Sequence, residues 1–271
     1  MPKEPQEYDV HGEEYAVLSR RSFLAALAAL ATLKPQARVN EPPGRSRVPR
    51  IIVFDVNETL LDVGALEPHF VHDFGDGSVL REWFSTVLLY SEVASLAGPY
   101  ADFGAIGAAA LDMTAASRRV SLLPEDRTQI LGGLRSLPAH PDVRQGLQRL
   151  KDAGFRMVTL TNSAAPAVEQ QLRTAGLTEF FEHTFSVDAV RRFKPAPEPY
   201  RSVAEQLRVD PTTLRIVAAH AWDVVGAMRV GCAAAFVARP GKVLYPLAPR
   251  PDIVGPDIRT AADQIIAVDM P

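Results

Sequence analysis

Residues Ile51-Ile52-Val53-Phe54 are apolar at every position and stop at an acid, Asp55. A continuous run of this kind, rich in β-branched side chains, predicts a strand buried on both faces of a sheet. Similar short runs return at Arg156–Thr161, Leu214–Ala219 and Ala233–Ala238. Between them the apolar period changes to that of a helix. Pro141–Ala153 sets Val143, Leu147 and Leu150 on one face before Gly154, and Pro166–Ala175 ends at Gly176. Pro199–Leu207 and Val224–Val230, the latter closed by Gly231, read the same way. Alternating strands and helices predict an α/β fold: a Rossmann-like parallel sheet core with helices on both faces.

From Leu66 to Leu137 the pattern is helical throughout, over Val79–Ala97, Gly104–Ser117 and Glu125–Leu134, with no strand run. This predicts an inserted all-helical cap over residues 66–137, with the α/β core formed by 50–65 and 138–271. Residues 1–49 stand outside both. Their Ser19-Arg20-Arg21-Ser22-Phe23-Leu24 leads into the apolar run Ala25–Leu33 and resembles a twin-arginine (Tat) export signal. Export is the favoured expectation. The alternative is an alanine-rich helix on a cytoplasmic chain, since Lys34-Pro35-Gln36-Ala37 offers no small-x-small cleavage site. Val39–Arg50, with Pro42, Pro43 and Pro49, reads as a linker.

Composition narrows the function classes. A net charge of −3 without a like-charge block gives no footprint for nucleic acid. Cys232 is the one cysteine, which excludes an intrachain disulfide and a thiolate metal cluster. No apolar stretch reaches the roughly 18 residues of a membrane span. Open parallel sheets bind ligands beyond the carboxyl ends of their strands. There stand Asp55 after the first strand, Asn162 and Ser163 after the second, and Asp223 after the next clear run.

These residues fall in an ordered set of motifs. Phe54-Asp55-Val56-Asn57-Glu58-Thr59 resembles the first motif of the haloacid dehalogenase superfamily, a nucleophilic Asp with Thr four residues on. Thr161-Asn162, Phe193-Lys194-Pro195 and Ala219-His220-Ala221-Trp222-Asp223 resemble the second, third and fourth. Leu80-Arg81-Glu82-Trp83, Gly98–Phe103 and the spacing of Lys194 to Tyr200 are similar to the type II (L-2-haloacid) branch. The resemblance implies hydrolytic dehalogenation of a small 2-haloacid through an aspartyl ester, by a chain that forms a homodimer. It makes Asp55 the nucleophile, with Lys194 and Thr59 keeping it ionised. Thr161 and Asn162 would hold the substrate carboxylate, and Asp223, with His220, would orient the hydrolytic water. Arg81 would attract halide or carboxylate, and Trp222 and Tyr200 would wall the pocket.

Physical reasoning favours that branch. A phosphatase of the superfamily protonates its leaving alkoxide with an acid two residues after the nucleophile, and Asn57 there cannot donate a proton as a general acid. A halide needs only a positive or dipolar cradle. Asp55, Asp223 and Lys194 balance without a metal, so neither metal nor cofactor is expected. The sequence departs from the branch at Asn57-Glu58, where Tyr-Gly is usual, at His220, where Asn is common, and at Ala218, where Ser is common. Glu58 and Asp62 read as locally bonded or solvated, and Cys232 as a small core residue. His69, His72, His140 and His183 lack the spacing of a metal site. The competing functions are a Mg²⁺-dependent phosphatase or phosphonate hydrolase using Asp55, and a catalytically silent binding or regulatory protein.

Overall fold

The computed structural model describes residues 50–270. The twin-arginine segment and most of the linker lie outside the described residues. The strands are β1 (Ile51–Phe54), β2 (Met157–Thr161), β3 (His183–Ser186), β4 (Leu214–Ala218), β5 (Ala233–Val237) and β6 (Ile253–Gly255). They form one sheet in the order β3-β2-β1-β4-β5-β6. Every adjacent pair is parallel. Phe54 lies opposite Thr159 of β2 and Val217 of β4, so β1 occupies the middle of the sheet. The residue that follows it opens onto the carboxyl edge between two neighbours.

Alternation along β1 assigns the two faces. Ile52 and Phe54 pack with Val143, Leu147 and Leu150 of a helix at Val143–Asp152, and with Ile258, Ala261 and Ile265 of another at Ile258–Asp269. Ile51 and Val53 face the opposite way, toward Val203 and Ala204 of Pro197–Leu207 and Val224 and Ala227 of Ala221–Arg229. Helices cover both faces, which is why β1 reads as an unbroken apolar run.

Between β1 and β2, four helices precede the core helix: α1 (Glu67–Phe74), α2 (Val79–Ala97), α3 (Phe103–Arg118) and α4 (Pro124–Gly133). Phe70, Trp83, Phe84 and Phe103 form their buried aromatic cluster, mostly edge to face, and Trp83 Nε1 donates to Gly107 O at 2.9 Å. The core helices continue as α5 (Val143–Asp152), α6 (Ala165–Thr174), α7 (Pro197–Leu207), α8 (Ala221–Arg229) and α9 (Ile258–Asp269). Relative to the sequence expectation the structure adds β3, β6, α1 and α9. Among the described residues no helix is long and apolar enough to cross a membrane.

One close approach sets the stage for the chemistry. A Cβ on Gly226 of α8 would lie 2.7 Å from Pro195 O and 2.8 Å from the Tyr200 hydroxyl. Only glycine lets α8 lie this close to the loop that carries Lys194 and to α7.

Candidate active site

Asp55 is fixed by its backbone before its side chain is considered. Its N–H donates to Val217 O of β4 at 3.0 Å, and the chain then turns sharply, Leu60 and Leu61 N–H both donating to Val56 O. That turn brings the residue four positions on back over the strand end. Thr59 Oγ1 donates to Asp55 Oδ2 at 2.5 Å and accepts from Ala219 N at 2.9 Å. The D-x-x-x-T spacing is thus the length of one tight turn, stitched to the end of β4.

Lys194 enters on the loop between β3 and α7. Asn162 Oδ1, at the end of β2, accepts from its backbone N–H at 3.0 Å. The ammonium donates to Asp55 Oδ1 at 2.8 Å, to Asp223 Oδ2 at 2.6 Å and to Leu160 O at 2.9 Å. An ammonium has three protons, and all are used. Asp223, in the first turn of α8, has its other oxygen bonded to the Tyr200 hydroxyl at 2.6 Å and is fully buried.

On the opposite side of Asp55 stands His220, which follows β4 and caps the start of α8. Its Nδ1 lies 3.3 Å from Asp55 Oδ2 without the alignment of a hydrogen bond. Its Nε2 meets Glu58 Oε2 at 2.7 Å, and Glu58 Oε1 meets Lys242 Nζ at 2.7 Å. Trp222 stacks on the imidazole with centroids 4.8 Å apart. Glu58 has φ +61°, the left-handed region, which costs a non-glycine residue about 1–2 kcal/mol.

The charges follow from this geometry. Burial by itself would raise Asp55, but Lys194 and His220 hold its carboxyl well below the usual range, so it is ionised. Burial and the neighbouring Asp55 charge push Asp223 up, against the pull of Lys194 and Tyr200. His220 would be driven toward neutrality by burial, yet its contacts with Asp55 and Glu58 prevail and push it up to about 9. The resting histidine is an imidazolium.

Two cavities flank this centre. One, about 310 Å³, is lined by Asn57, Ser163 and Gln171 from the core and by Phe103, Leu131 and Leu134 from the helical segment. The other, about 340 Å³, is lined by Glu58, Arg81, Leu80, Phe84, His140 and Arg239. Asn57 is pinned between them and the strand ends, donating to Ser163 Oγ at 3.1 Å and accepting from Gln171 Nε2 at 3.0 Å.

The structure therefore unites Asp55, Thr59, Lys194, Asp223, Asn162, His220, Tyr200 and Trp222. Arg81 is exposed on α2 and lines the second cavity; among the described residues the cations paired with Asp55 are Lys194 and His220. Tyr200 is fully buried, with its hydroxyl donating to Asp223 Oδ1. Asp223 does not face Asp55 across an open crevice, because Lys194 lies between them. Thr161 Oγ1 accepts from Ser163 N at 3.1 Å and Asn162 Oδ1 from Lys194 N at 3.0 Å, so both side chains shape the strand-end loop. Sequence reasoning missed Lys242 and Gln171 and read Glu58 as a locally bonded or solvated residue. The available signal for Glu58 was that it and His220 both depart from the resembled pattern, and they touch.

A family model described as haloacid dehalogenase-like hydrolase matches residues 49–231. The chain is 33% identical over 184 residues, 67% of its length, to (S)-2-haloacid dehalogenase 1 of Pseudomonas sp. (strain CBS-3), covering 81% of that protein. It is 29% identical to haloacetate dehalogenase H-2 of Moraxella sp. (strain B), over 80% of this chain and 97% of that one. Among solved structures, the L-2-haloacid dehalogenase of Xanthobacter autotrophicus with chloropropionic acid covalently bound superposes with TM-score 0.76 and 27% identity. That match covers 82% of this chain and all of the other.

Proposed function

The chain belongs to the haloacid dehalogenase-like hydrolases, and we propose that it hydrolyses the carbon–halogen bond of a small 2-haloacid to give the 2-hydroxyacid. Asp55 attacks the halogen-bearing carbon; the Oδ–C bond forms as the C–halogen bond breaks with its electron pair on the halide. Water then cleaves the aspartyl ester. The single observation that carries this reading is the state of Asp55: buried, ionised, held by Lys194 and Thr59, and followed at the second position by an amide. Asn57 can protonate no leaving alkoxide, and a halide needs no such proton. The covalent chloropropionic acid in the Xanthobacter enzyme and the haloacids in its relatives' names support the same chemistry. The helical segment 66–137 acts as the cap in this reading, its Phe103 and Leu131 closing the cavity beside Asn57.

The test is halide release from chloro-, bromo- and fluoro-substituted 2-haloacids, with and without EDTA or added Mg²⁺. Release that survives EDTA and vanishes in Asp55→Asn supports the proposal. Release that persists in Asp55→Asn would overturn it, and Mg²⁺-dependent hydrolysis of a phosphate monoester in its place would favour the phosphatase. A homodimer also belongs to the proposal, supported by the exposed apolar stripe Leu89, Val93 and Leu96 on α2, and sedimentation tests it. So does export, tested by fractionating cells that express the full chain.

A further inference from the structure

Breaking the ester requires a base that can reach a water at the Asp55 carbonyl. Each basic or acidic group around Asp55 can be taken in turn. Lys194 has spent its three protons on Asp55, Leu160 and Asp223, and a fully bonded ammonium has no lone pair to offer. Asp223 has one oxygen on Lys194 and the other on Tyr200, so both are committed. Thr59 is committed to Asp55 and Ala219. His220 alone among these presents a nitrogen, Nδ1, that faces Asp55 Oδ2 at 3.3 Å and makes no hydrogen bond.

Glu58 is placed to orient that ring. It holds Nε2 at 2.7 Å, is itself held by Lys242, and occupies a left-handed backbone position where glycine would carry no strain. Strain of this kind persists where surrounding contacts over-determine it, and it clusters at functional sites. Trp222 stacked on the imidazole restricts the ring further.

We infer that His220 is the general base of ester hydrolysis and Glu58 its positioning residue, so that Asp55, His220 and Glu58 form a nucleophile–base–acid triad. The inference rests on the dehalogenase reading above. While Asp55 is anionic the imidazole stays protonated, held so by Asp55 and Glu58. Esterification removes the Asp55 charge, and Nδ1 gives up its proton, the acid equivalent of the overall reaction. Water then adds to Asp55 Cγ as Nδ1 takes its proton. The tetrahedral adduct collapses, the Cγ–O bond to the alkyl group breaks, and the imidazolium returns its proton to the departing alkoxide. The carboxylic acid left on Asp55 ionises to His220, which restores the resting pair. The charged groups around the ring are Asp55, Glu58, Lys242 beyond Glu58 and Lys194 beyond Asp55.

The experiment is a single turnover of excess enzyme with 2-chloropropionate, following chloride, lactate and the mass of the peptide that contains Asp55. In His220→Asn, chloride release should persist while lactate release falls about 10²-fold or more, the range of a lost general base, and an ester should accumulate on Asp55. Wild-type lactate release from His220→Asn, or equal slowing of both releases with no ester, would overturn the inference. Should that variant fail to melt cooperatively, Glu58→Gln decides instead. It should slow lactate more than chloride and move the pH midpoint of hydrolysis downward, because the Glu58 charge no longer raises the imidazole. An unmoved midpoint would overturn the positioning role. If the wild-type enzyme releases no chloride at all, the dehalogenase reading fails and takes this inference with it; wild-type turnover with unaffected variants removes the triad alone.

Discussion

Replacing Lys194 by Met would keep the length of the side chain and remove the one charge that lies between Asp55 and Asp223. In the wild type the ammonium stands 2.8 Å from one carboxylate and 2.6 Å from the other, with side-chain exposures of 1% for Lys194, 6% for Asp55 and 0% for Asp223. Removing one partner of a buried ion pair leaves an uncompensated charge and costs about 3–5 kcal/mol. Here two carboxylates lose the same partner, and the remaining contacts, the Thr59 hydroxyl and the His220 charge at Asp55 and the Tyr200 hydroxyl at Asp223, supply a cation to Asp55 alone. One carboxyl will take a proton, since like charges sharing a buried site cannot both stay ionised. Its pKa in the folded variant then lies above its unfolded value, so acidification stabilises the folded variant. In the wild type the depressed pKa of Asp55 gives stability that is present above the unfolded value of 3.8 and lost as pH falls. Both effects narrow the gap between the two proteins at low pH. Urea melts of wild type and Lys194→Met should therefore differ by about 3–5 kcal/mol near neutrality and by clearly less near the acid limit of folding. A difference under about 1 kcal/mol, or one that does not change with pH, would refute the reasoning.

Arg215, fully buried in β4, pairs with Asp269 and Asp252, so Arg215→Met should cost about 3–5 kcal/mol in a urea melt, and a neutral result would show those acids to be solvated on its removal. His220 has its pKa raised from 6.5 to about 9, so its ion pairs stabilise the fold fully below 6.5 and are lost as pH rises through about 9. The stability gap between wild type and His220→Asn should shrink over that interval, and a gap that widens would contradict the assignment. Arg81→Ala, on the exposed face of α2, should change stability by less than about 0.5 kcal/mol with halide release close to wild type; a large loss of release would return Arg81 to the substrate.

The sequence made legible what depends on local pattern. β1, β2, β4 and β5 lie in the interior of the sheet; β1 and β5 announce themselves as unbroken apolar runs, and β2 and β4 as short, mainly apolar ones. The two edge strands do not. β3, His183–Ser186, is half-exposed and polar, and β6 has only three residues. Ile258, Ala261, Ala262 and Ile265 carry the helical spacing of α9 behind its N-cap Asp257, and Pro68 marks the start of α1, so each helix has a local signal that the sequence expectation does not include. At the site, Asp55, Thr59, Lys194 and Asp223 could be placed because their motifs sit directly at strand ends. The contact of Glu58 with His220 joins residues 162 positions apart and has no local signature. Arg81 has the same limit: a helix gives each residue a direction, and the sequence did not disclose which face of α2 meets the sheet.

The central claim is that Asp55 carries the substrate as an ester. It is tested most directly by one turnover of excess enzyme in oxygen-18 water with a 2-haloacid, followed by mass analysis of product and of the peptide spanning Val53–Thr59. If the ester forms, the hydroxyacid takes its oxygen from the Asp55 carboxylate and is released unlabelled, and the label enters Asp55 itself. Label found in the hydroxyacid after that first turnover, with Asp55 unlabelled, would mean that water displaces the halide directly and that Asp55 is no nucleophile.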